Sequence, residues 1–173
     1  GTEIVVGMRI SGDELQAGGT DPAEILEACA ALGNEGGLDY LNVIAGGMMQ
    51  LDGSIHIVPP MAVEHAYLAP LAHAVKQRVP VPVFVAGRIN QPQQAEEILK
   101  AGQADMIGMT RAQIADPELA NKARDGRTDD IRACIACNQA CIGHMQMGIG
   151  ISCIQRPETG REQEFAVKTP AAT

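Results

Sequence analysis

Aromatic side chains, positive charge and long apolar runs are all scarce in this chain. It has no Trp, two Tyr and two Phe, and its 13 Lys and Arg are outnumbered by 21 Asp and Glu, for a formal charge of −8. A chain with this charge, and with neither a basic cluster nor an aromatic stacking platform, is unsuited to binding a phosphate backbone. No apolar run approaches the roughly 20 residues that cross a bilayer, and no basic start precedes an apolar stretch. We therefore expect no nucleic-acid partner, no membrane segment and a cytoplasmic location.

Cysteine is present, but not in the arrangement of a disulfide framework. The chain has five Cys, an odd number, and four of them lie within 20 residues near the end. Small secreted domains instead distribute paired cysteines along the chain. The clustering indicates a metal site in a reducing compartment. The remaining composition, 46% hydrophobic and 20% charged, is that of a folded globular protein.

Four consecutive segments each have the pattern of a strand, a loop and a helix. Helix starts are indicated by Asp21 with Pro22, by Asn90, and by Asp116 with Pro117, since these residues favour the first turn. A loop is expected up to about Pro60, followed by the helical pattern AYLAPLAHAVKQ. In the third helix the expected inward residues are Ala95, Ile98 and Leu99. The four predicted strands are EIVVGMRI, DYLNVIAGG, VPVFVAGR and ADMIGMTR.

This order predicts a parallel α/β sheet with right-handed crossovers. An open doubly wound sheet would place a Gly-rich phosphate turn after the first strand, but no GxGxxG follows it. In a (β/α)₈ barrel the chemistry lies on the loops that follow the strands. Such a barrel needs eight strands and about 250 residues, whereas this chain supplies four strands. The fold class we predict is therefore a TIM barrel of which this chain forms the second half, four βα units.

The cysteine segment CIACNQACIGHMQMGIGISC has spacing typical of an iron-sulfur cluster. Cys134 and Cys137 form a CxxC pair, Cys141 follows after three residues, and Cys153 follows after eleven more. Three closely spaced thiolates and a fourth from a longer loop suit the corners of a [4Fe-4S] cluster. A Cys₄ zinc site is the alternative, although it usually consists of two CxxC pairs. His144 is expected to be a solvated loop residue.

Three arginines are expected at the ends of strands, where a barrel binds its ligands. Arg9 ends the first predicted strand, while Gly87 with Arg88 and Thr110 with Arg111 end the third and fourth. A flavin mononucleotide requires N–H groups and a cation at its phosphate, and positive charge near its reduced ring. We predict that the third and fourth strand ends hold the FMN phosphate and that Arg9 contacts the ring. Pairing of these arginines with acidic residues at the rim is the alternative.

Other residues have weaker indications of a role. His56 is a possible substrate-pocket residue because it lies in an expected active-face loop, whereas His65 and His73 are expected at the surface. Cys29 is expected on the apolar face of a helix, as a small hydrophobic residue without a functional role.

Several of these segments together resemble a known family. VGMRIS, VAGRINQP, ADMIGMTRAQIADPEL and DDIRACIACNQAC are similar to the Old Yellow Enzyme-related iron-sulfur flavoproteins, the NADH:flavin oxidoreductase group that includes bacterial 2,4-dienoyl-CoA reductase and trimethylamine dehydrogenase. The resemblance implies FMN contacts for Arg9, Gly87, Arg88, Thr110 and Arg111, and a [4Fe-4S] cluster on the four cysteines. It also implies hydride transfer at FMN with single electrons passing through the cluster.

The resemblance implies a division of the chain as well. Residues 1–130 would be the second half of the FMN barrel, 131–157 the cluster segment, and 158–173 a linker or tail toward an absent FAD and NAD(P) domain. The first four barrel strands, and with them the catalytic residues, would come from a missing half barrel or partner chain. The expected partners are a small-molecule substrate and an electron-transfer flavoprotein, with FAD and NAD(P)H in the full-length protein.

One departure from the family bears on the reaction. The dienoyl-CoA reductase branch has a proton-donating histidine after the strand equivalent to LNVIAGG, where this chain has Met48, Met49 and Gln50. An amine dehydrogenase or N-demethylase of the same group is therefore an alternative. A non-catalytic fragment or electron-transfer module is the alternative of another class, because an isolated half barrel has two open sheet edges.

Overall fold

The computed structural model of the chain describes residues 4–166. Within this range two compact units are present, one that ends at Met109 and one that begins at Thr110. The first contains the sheet, and the second contains the four clustered cysteines.

The first unit is built on one four-stranded sheet. Its neighbours are all parallel, and the strands follow the order of the chain. This arrangement confirms the parallel α/β fold predicted from the sequence. The strands are β1 (Gly7–Ser11), β2 (Tyr40–Ile44), β3 (Val83–Ala86) and β4 (Met106–Gly108).

Four helices in this unit are connected to the strands. They are α1 (Pro22–Asn34), α2 (Leu51–Ile57), α3 (Ala69–Lys76) and α4 (Pro92–Lys100). One cluster of buried apolar side chains joins strands and helices, and it includes Leu41, Val43 and Val85 from the sheet and Val75 from α3. Cys29 on α1 belongs to it as well, and burial raises the pKa of its thiol. The structure thus places Cys29 as the small hydrophobic residue expected from its helix face.

The start of α1 was predicted correctly. Asp21 is its N-cap, the Asp21 carboxylate accepts the Ala23 N–H at 2.8 Å, and Pro22 is the first helical residue. Pro suits this position because its missing N–H would lack an intrahelical partner anyway. Gly36, with φ of +75°, lies just beyond the end of the helix.

The expectation of a loop up to Pro60 was wrong, because α2 lies within it. The segment LDGSIHI contains Gly, Ser and two β-branched Ile, all poor helix formers. Tertiary contact overrides this propensity. A Cβ on Gly53 would lie 2.6 Å from the Gln16 side chain and 2.8 Å from the Glu14 carbonyl, so the helix is packed closely on the loop that follows β1.

The third predicted helix differs in two details. Its N-cap is Gln91 rather than Asn90, and the Gln94 side chain accepts the backbone N–H groups of both residues. Ile98 is buried as expected, but Leu99 is 39% exposed. Adjacent residues on a helix differ by about 100° in direction, so Ile98 and Leu99 do not share a face.

The second unit has little regular structure. Its helices are α5 (Thr110–Ala115), α6 (Leu119–Arg124), α7 (His144–Gln146) and α8 (Glu162–Ala166), with a 3₁₀ turn at Thr128–Asp130 and a π-helical turn at Gln139–Gly143. The fourth predicted strand was too long, since β4 ends at Gly108 and Thr110 begins α5. The helix predicted to open at Asp116 begins at Leu119.

The outer strands of the sheet expose apolar side chains. Within residues 4–166, β1 pairs only with β2 and β4 only with β3. Val6 and Met8 are exposed at one edge and Met106 at the other. None of the helices in this range is long and apolar enough to traverse a bilayer.

Candidate metal and flavin sites

The four clustered cysteines line one concavity of the second unit. None of the four is in a disulfide, and all are partly buried. The concavity is small, with about 20 Å³ available to the centre of a water-sized molecule. Its other lining residues include Arg111, Asn138 and the apolar side chains of Ile114, Ile135 and Ile154. The structure thus brings the four cysteines that the sequence singled out to one concavity.

The first two cysteines lie on a strained turn. Ala136 and Asn138, on either side of Cys137, both have left-handed backbones, with φ of 51° and 58°. This conformation costs about 1–2 kcal/mol for a residue with a Cβ, less for Asn than for Ala. The Ala136 N–H is directed at the Cys134 Sγ at 3.3 Å. A turn with an N–H group donating to a cysteine sulfur suits a thiolate that binds metal.

The last two cysteines are joined through the π-helical turn. Cys141 lies within this turn, whose Gly143 N–H donates to the Asn138 carbonyl at 2.8 Å. The Ser152 N–H, next to Cys153, donates to the Ala140 carbonyl at 2.7 Å. Both ligand candidates are thereby tied to the same piece of backbone.

The pKa of the Cys134 thiol depends on its burial and on four neighbouring groups. Burial raises the pKa of its thiol, and the nearby Cys141 and Cys153 raise it further. The Ala136 N–H and the Arg111 guanidinium act in the opposite direction. Metal binding requires the thiolate, so a cation in the concavity would supply the missing stabilisation of its charge.

The four cysteines fit two kinds of metal centre by residue type. Among residues 4–166 no group of three His, Cys, Asp or Glu side chains is arranged to hold a metal ion. Four thiols on one concavity match in type and number the ligands of a [4Fe-4S] cluster and those of a Cys₄ zinc site. The spacing of the cysteines in the chain, with a single CxxC pair, is the feature that favours the cluster.

Arg9 lies on β1 beside Asn42 of β2. The two residues are in register in the sheet, and Arg9 Nε donates to Asn42 Oδ1 at 2.7 Å. This bond uses one of the five N–H donors of the guanidinium. Asn42 was not singled out in the sequence, and only the strand register reveals it.

Gly87 and Arg88 follow β3 in an unusual backbone conformation. Their φ values are +154° and +54°, and a Cβ on Gly87 would lie 2.8 Å from Leu68 Cδ1. The Arg88 side chain is buried, its Nε donates to the Val63 carbonyl at 2.9 Å, and its Nη2 lies 3.3 Å from His65 Nε2. The Arg88 guanidinium therefore contacts the loop before α3.

Thr110 and Arg111 are the first residues of α5, in the second unit. Arg111 Nη1 donates to Asn138 Oδ1 at 2.6 Å, and Arg111 lines the cysteine concavity. The sequence predicted a phosphate contact for Arg111 and gave no sign of this one.

Three of the four histidines contact other parts of the protein. His56 lies on α2 and its ring is 5.7 Å from that of Tyr67, whose hydroxyl donates to the His56 carbonyl. His65 contacts Arg88, and His73 is half-buried on α3. His144 Nδ1 lies 3.1 Å from the Gly150 carbonyl, within the cysteine loop. After β2, Met48 and Met49 are 87% and 86% exposed.

The parallel sheet with its strand-loop-helix order, followed by a cysteine-lined concavity, defines a partial (β/α)₈ barrel with a candidate metal centre. The particular family is given by sequence: the chain belongs to the NADH:flavin oxidoreductase / NADH oxidase family, whose profile matches residues 1–130. The resemblance drawn from the motifs is thereby confirmed, and members of this family are oxidoreductases.

Individual relatives agree with this assignment. The chain is 39% identical over 99% of its length to a metal reductase of Desulforamulus reducens, and covers 25% of that protein. It is 37% identical over 94% of its length to an N,N-dimethylglycine/sarcosine dehydrogenase of Chromohalobacter salexigens, and covers 23% of it. The solved structure of histamine dehydrogenase from Rhizobium sp. 4-9 matches 91% of the chain with a TM-score of 0.78 at 30% identity, and the chain covers 22% of it. The chain thus spans about a quarter of the length of these relatives.

Proposed function

We propose that this chain is part of an oxidoreductase that uses FMN and a [4Fe-4S] cluster. The observation that carries the proposal is the concavity lined by four cysteines outside any disulfide, in a member of a flavin oxidoreductase family. FMN would accept or donate a hydride, and a cluster held by the cysteines of this concavity would pass single electrons to a second carrier. In the full-length protein that carrier is FAD with NAD(P)H, or a separate electron-transfer flavoprotein.

Cys134, Cys137, Cys141 and Cys153 are the proposed cluster ligands. Their support is the shared concavity together with the Ala136 N–H that donates to Cys134 Sγ. In the proposed arrangement the apolar side chains of Ile114, Ile135 and Ile154 limit the access of water to the sulfur atoms. Water exclusion and N–H donors both influence the reduction potential of such clusters.

Five residues are the proposed FMN contacts. We assign the flavin ring to Arg9 and the phosphate to Gly87, Arg88, Thr110 and Arg111. Both arginines of the phosphate set are also held by protein contacts, since Arg88 Nε donates to the Val63 carbonyl and Arg111 Nη1 donates to Asn138 Oδ1.

A missing half barrel is the proposed partner of the sheet. Its support is the exposed apolar surface at both outer strands, from Val6 just before β1, Met8 on β1 and Met106 on β4. Unpaired strands with exposed apolar side chains are a pairing surface for further strands. In this proposal the missing half also supplies the catalytic residues.

Oxidation of an N-methylated amine is the reaction we favour over reduction of a dienoyl thioester. The loop after β2 carries Met48, Met49 and Gln50, and the Gln50 side chain donates to the Ala17 carbonyl. None of the three titrates near neutral pH, so this loop does not supply a proton donor. The similarity to a sarcosine dehydrogenase and, at 34% identity, to a probable N-methylproline demethylase of Rhizobium meliloti agrees with this choice.

The test is the cofactor content and anaerobic reduction of the protein as its gene encodes it. We expect FMN, about four iron atoms per chain and absorbance near 400 nm. Bleaching by sarcosine, without bleaching by NAD(P)H alone, would support amine oxidation, and the reverse would support a reductase. Zinc in place of iron would refute the cluster, and protein without flavin or iron would indicate a non-catalytic fragment.

A further inference from the structure

Asn138 connects two of the proposed ligand positions. It directly follows Cys137, and its carbonyl accepts the Gly143 N–H that closes the π-helical turn around Cys141. Its backbone is left-handed, with φ of 58° and ψ of 7°. The direction of the chain between Cys137 and Cys141 therefore depends on the conformation of this one residue.

The side chain of Asn138 is held from outside the cysteine loop. Its Oδ1 accepts the Arg111 Nη1–H at 2.6 Å, and both residues line the concavity. Arg111 belongs to α5, so the bond ties the loop to a helix 27 positions earlier in the chain. A hydrogen bond from a cationic donor is stronger than one between neutral groups.

We propose that the hydrogen bond between Arg111 and Asn138 positions the Cys137–Cys141 segment, and thereby sets how firmly the cluster is retained and at what potential it is reduced. The inference rests on the proposed function, since it requires a cluster on the four cysteines. Asn138 is a positioning residue and not a ligand. Its effect reaches the metal through the backbone that carries two of the sulfur atoms.

The same contact gives Arg111 a second role. Its guanidinium has five N–H donors, and the bond to Asn138 uses one of them. Arg111 is thus able to hold a phosphate oxygen and the cysteine loop at once. A loss of FMN from Arg111 variants would report the phosphate role. Because Arg111 also acts on the Cys134 thiol directly, only a loss of iron that Asn138 variants share would report the contact with Asn138.

The most informative substitution is Asn138→Gly. Gly adopts the left-handed backbone without strain, so this variant removes the side-chain bond while it preserves the turn. Asn138→Asp is the matched control, because it retains an acceptor for Arg111 in a side chain of the same shape. Arg111→Gln removes the cationic donor from the other side.

The measurement is the rate at which the 400 nm absorbance bleaches under an iron chelator without oxygen, with the midpoint potential followed by EPR. We expect bleaching about tenfold faster in Asn138→Gly and Arg111→Gln, with a shifted potential, and little change in Asn138→Asp. The double variant Arg111→Gln/Asn138→Gly should be no faster than the faster single variant, because both changes remove one bond. FMN content should stay unchanged in Asn138→Gly.

Each outcome decides the inference. Bleaching rates and potentials equal to those of the unaltered protein in both single variants would overturn it, as would effects that add in the double variant or a loss of FMN from Asn138→Gly at unchanged iron retention. Unaltered protein that contains no iron-sulfur cluster would refute the proposed function as well. Unaltered protein that contains the cluster, together with unresponsive variants, would refute only the role of this contact.

Discussion

The two units of the chain become ordered by different means. In the first, large apolar side chains of the sheet and its helices form one buried cluster, with Leu41 and Val85 fully buried. In the second, the buried apolar residues within the described range are mostly alanines, with Leu119 as the larger exception. Burial of large side chains is the dominant favourable contribution to folding, so the second unit has the weaker hydrophobic stabilisation.

In the second unit, hydrogen bonds from side chains to backbone groups add to its weaker hydrophobic stabilisation. Asp116 accepts the N–H groups of Glu118 and Arg132, and Thr159 donates to the Ile114 carbonyl at 3.2 Å. These contacts tie the segments before and after the cysteines to α5 and the residues that follow it. The second unit therefore depends on specific polar contacts and, in our proposal, on the cluster, whereas the sheet unit depends on packing.

Loss of a cluster ligand should have the largest effect. In Cys137→Ser we expect loss of the cluster and of amide protection across residues 131–159, because the cluster crosslinks this segment from within. Iron analysis and hydrogen exchange would measure both. The control is Cys29→Ala in the sheet unit, which should cost about 1 kcal/mol of stability and leave the iron content unchanged. Full protection of 131–159 in an iron-free Cys137→Ser variant would refute the contrast.

A packing defect in the sheet unit should lower the stability of that unit and leave amide protection in the cysteine unit largely unchanged. Leu41→Ala removes a side chain with 0% exposure, and we expect the free energy of unfolding to fall by about 3 kcal/mol. Leu51→Ala is the matched control, since Leu51 is 78% exposed and should cost less than about 0.5 kcal/mol. Denaturant unfolding with residue-resolved hydrogen exchange provides the measurement. Equal loss of protection in residues 110–166 would show that the two units do not differ in this way.

The features predicted correctly from the sequence are those with a local pattern, and many of these lie in the sheet unit. Strand positions in the sheet unit were recognisable because each strand is an apolar run bounded by loop residues, and Asp21 with Pro22 marked α1 through local chemistry. α2 was missed because its formation depends on the fit of Gly53 against Gln16, a contact between distant residues. Local propensity contains no information on such a contact.

The cysteine site was predictable only in so far as its features have a local pattern in the sequence. Spacing alone identified the four ligand candidates, because thiolates that bind one metal centre must lie close together and therefore recur at short intervals in the chain. The bond between Arg111 and Asn138 and the bond from the Arg132 N–H to Asp116 have no local pattern, because their partners lie 27 and 16 positions apart. The surroundings of Arg88 were not foreseen either, since they depend on the path of the loop at 61–65.

Asp116 is a buried polar residue of the second unit, and its substitution can be compared with that of the buried apolar Leu41 in the first. It is 5% exposed and lies 2.6 Å from Lys122 Nζ. Burial opposes its ionisation, but the hydrogen bonds from Lys122 and from the N–H groups of Arg132 and Glu118 outweigh burial and lower its pKa. We expect Asp116→Asn to cost about 2 kcal/mol at neutral pH, because hydrogen bonds to a charged acceptor are lost.

The same group predicts an acid dependence. Because the folded-state pKa of Asp116 lies below the unfolded one, its contribution is present above the unfolded pKa and is lost as pH falls through the folded pKa. Thermal unfolding as a function of pH should therefore show a smaller acid destabilisation in Asp116→Asn. Asp125→Asn is the control, since the Asp125 side chain is 43% exposed in its pairs with Arg124 and Arg127. An identical acid response in both variants would mean that Asp116 does not contribute to the acid dependence.

The smallest expected effect belongs to the cap of α1, where a single polar contact acts within the apolar sheet unit. Asp21→Ala removes the acceptor of the Ala23 N–H, and we expect a loss of about 1 kcal/mol in the free energy of unfolding. Asp52→Ala is the control, because Asp52 lies in the first turn of α2 without being its N-cap and should cost only a few tenths of a kcal/mol. Denaturant titration would measure both. A cost above that of Asp116→Asn would mean that polar contacts matter as much in the packed unit as in the cysteine unit, and the distinction between them would fail.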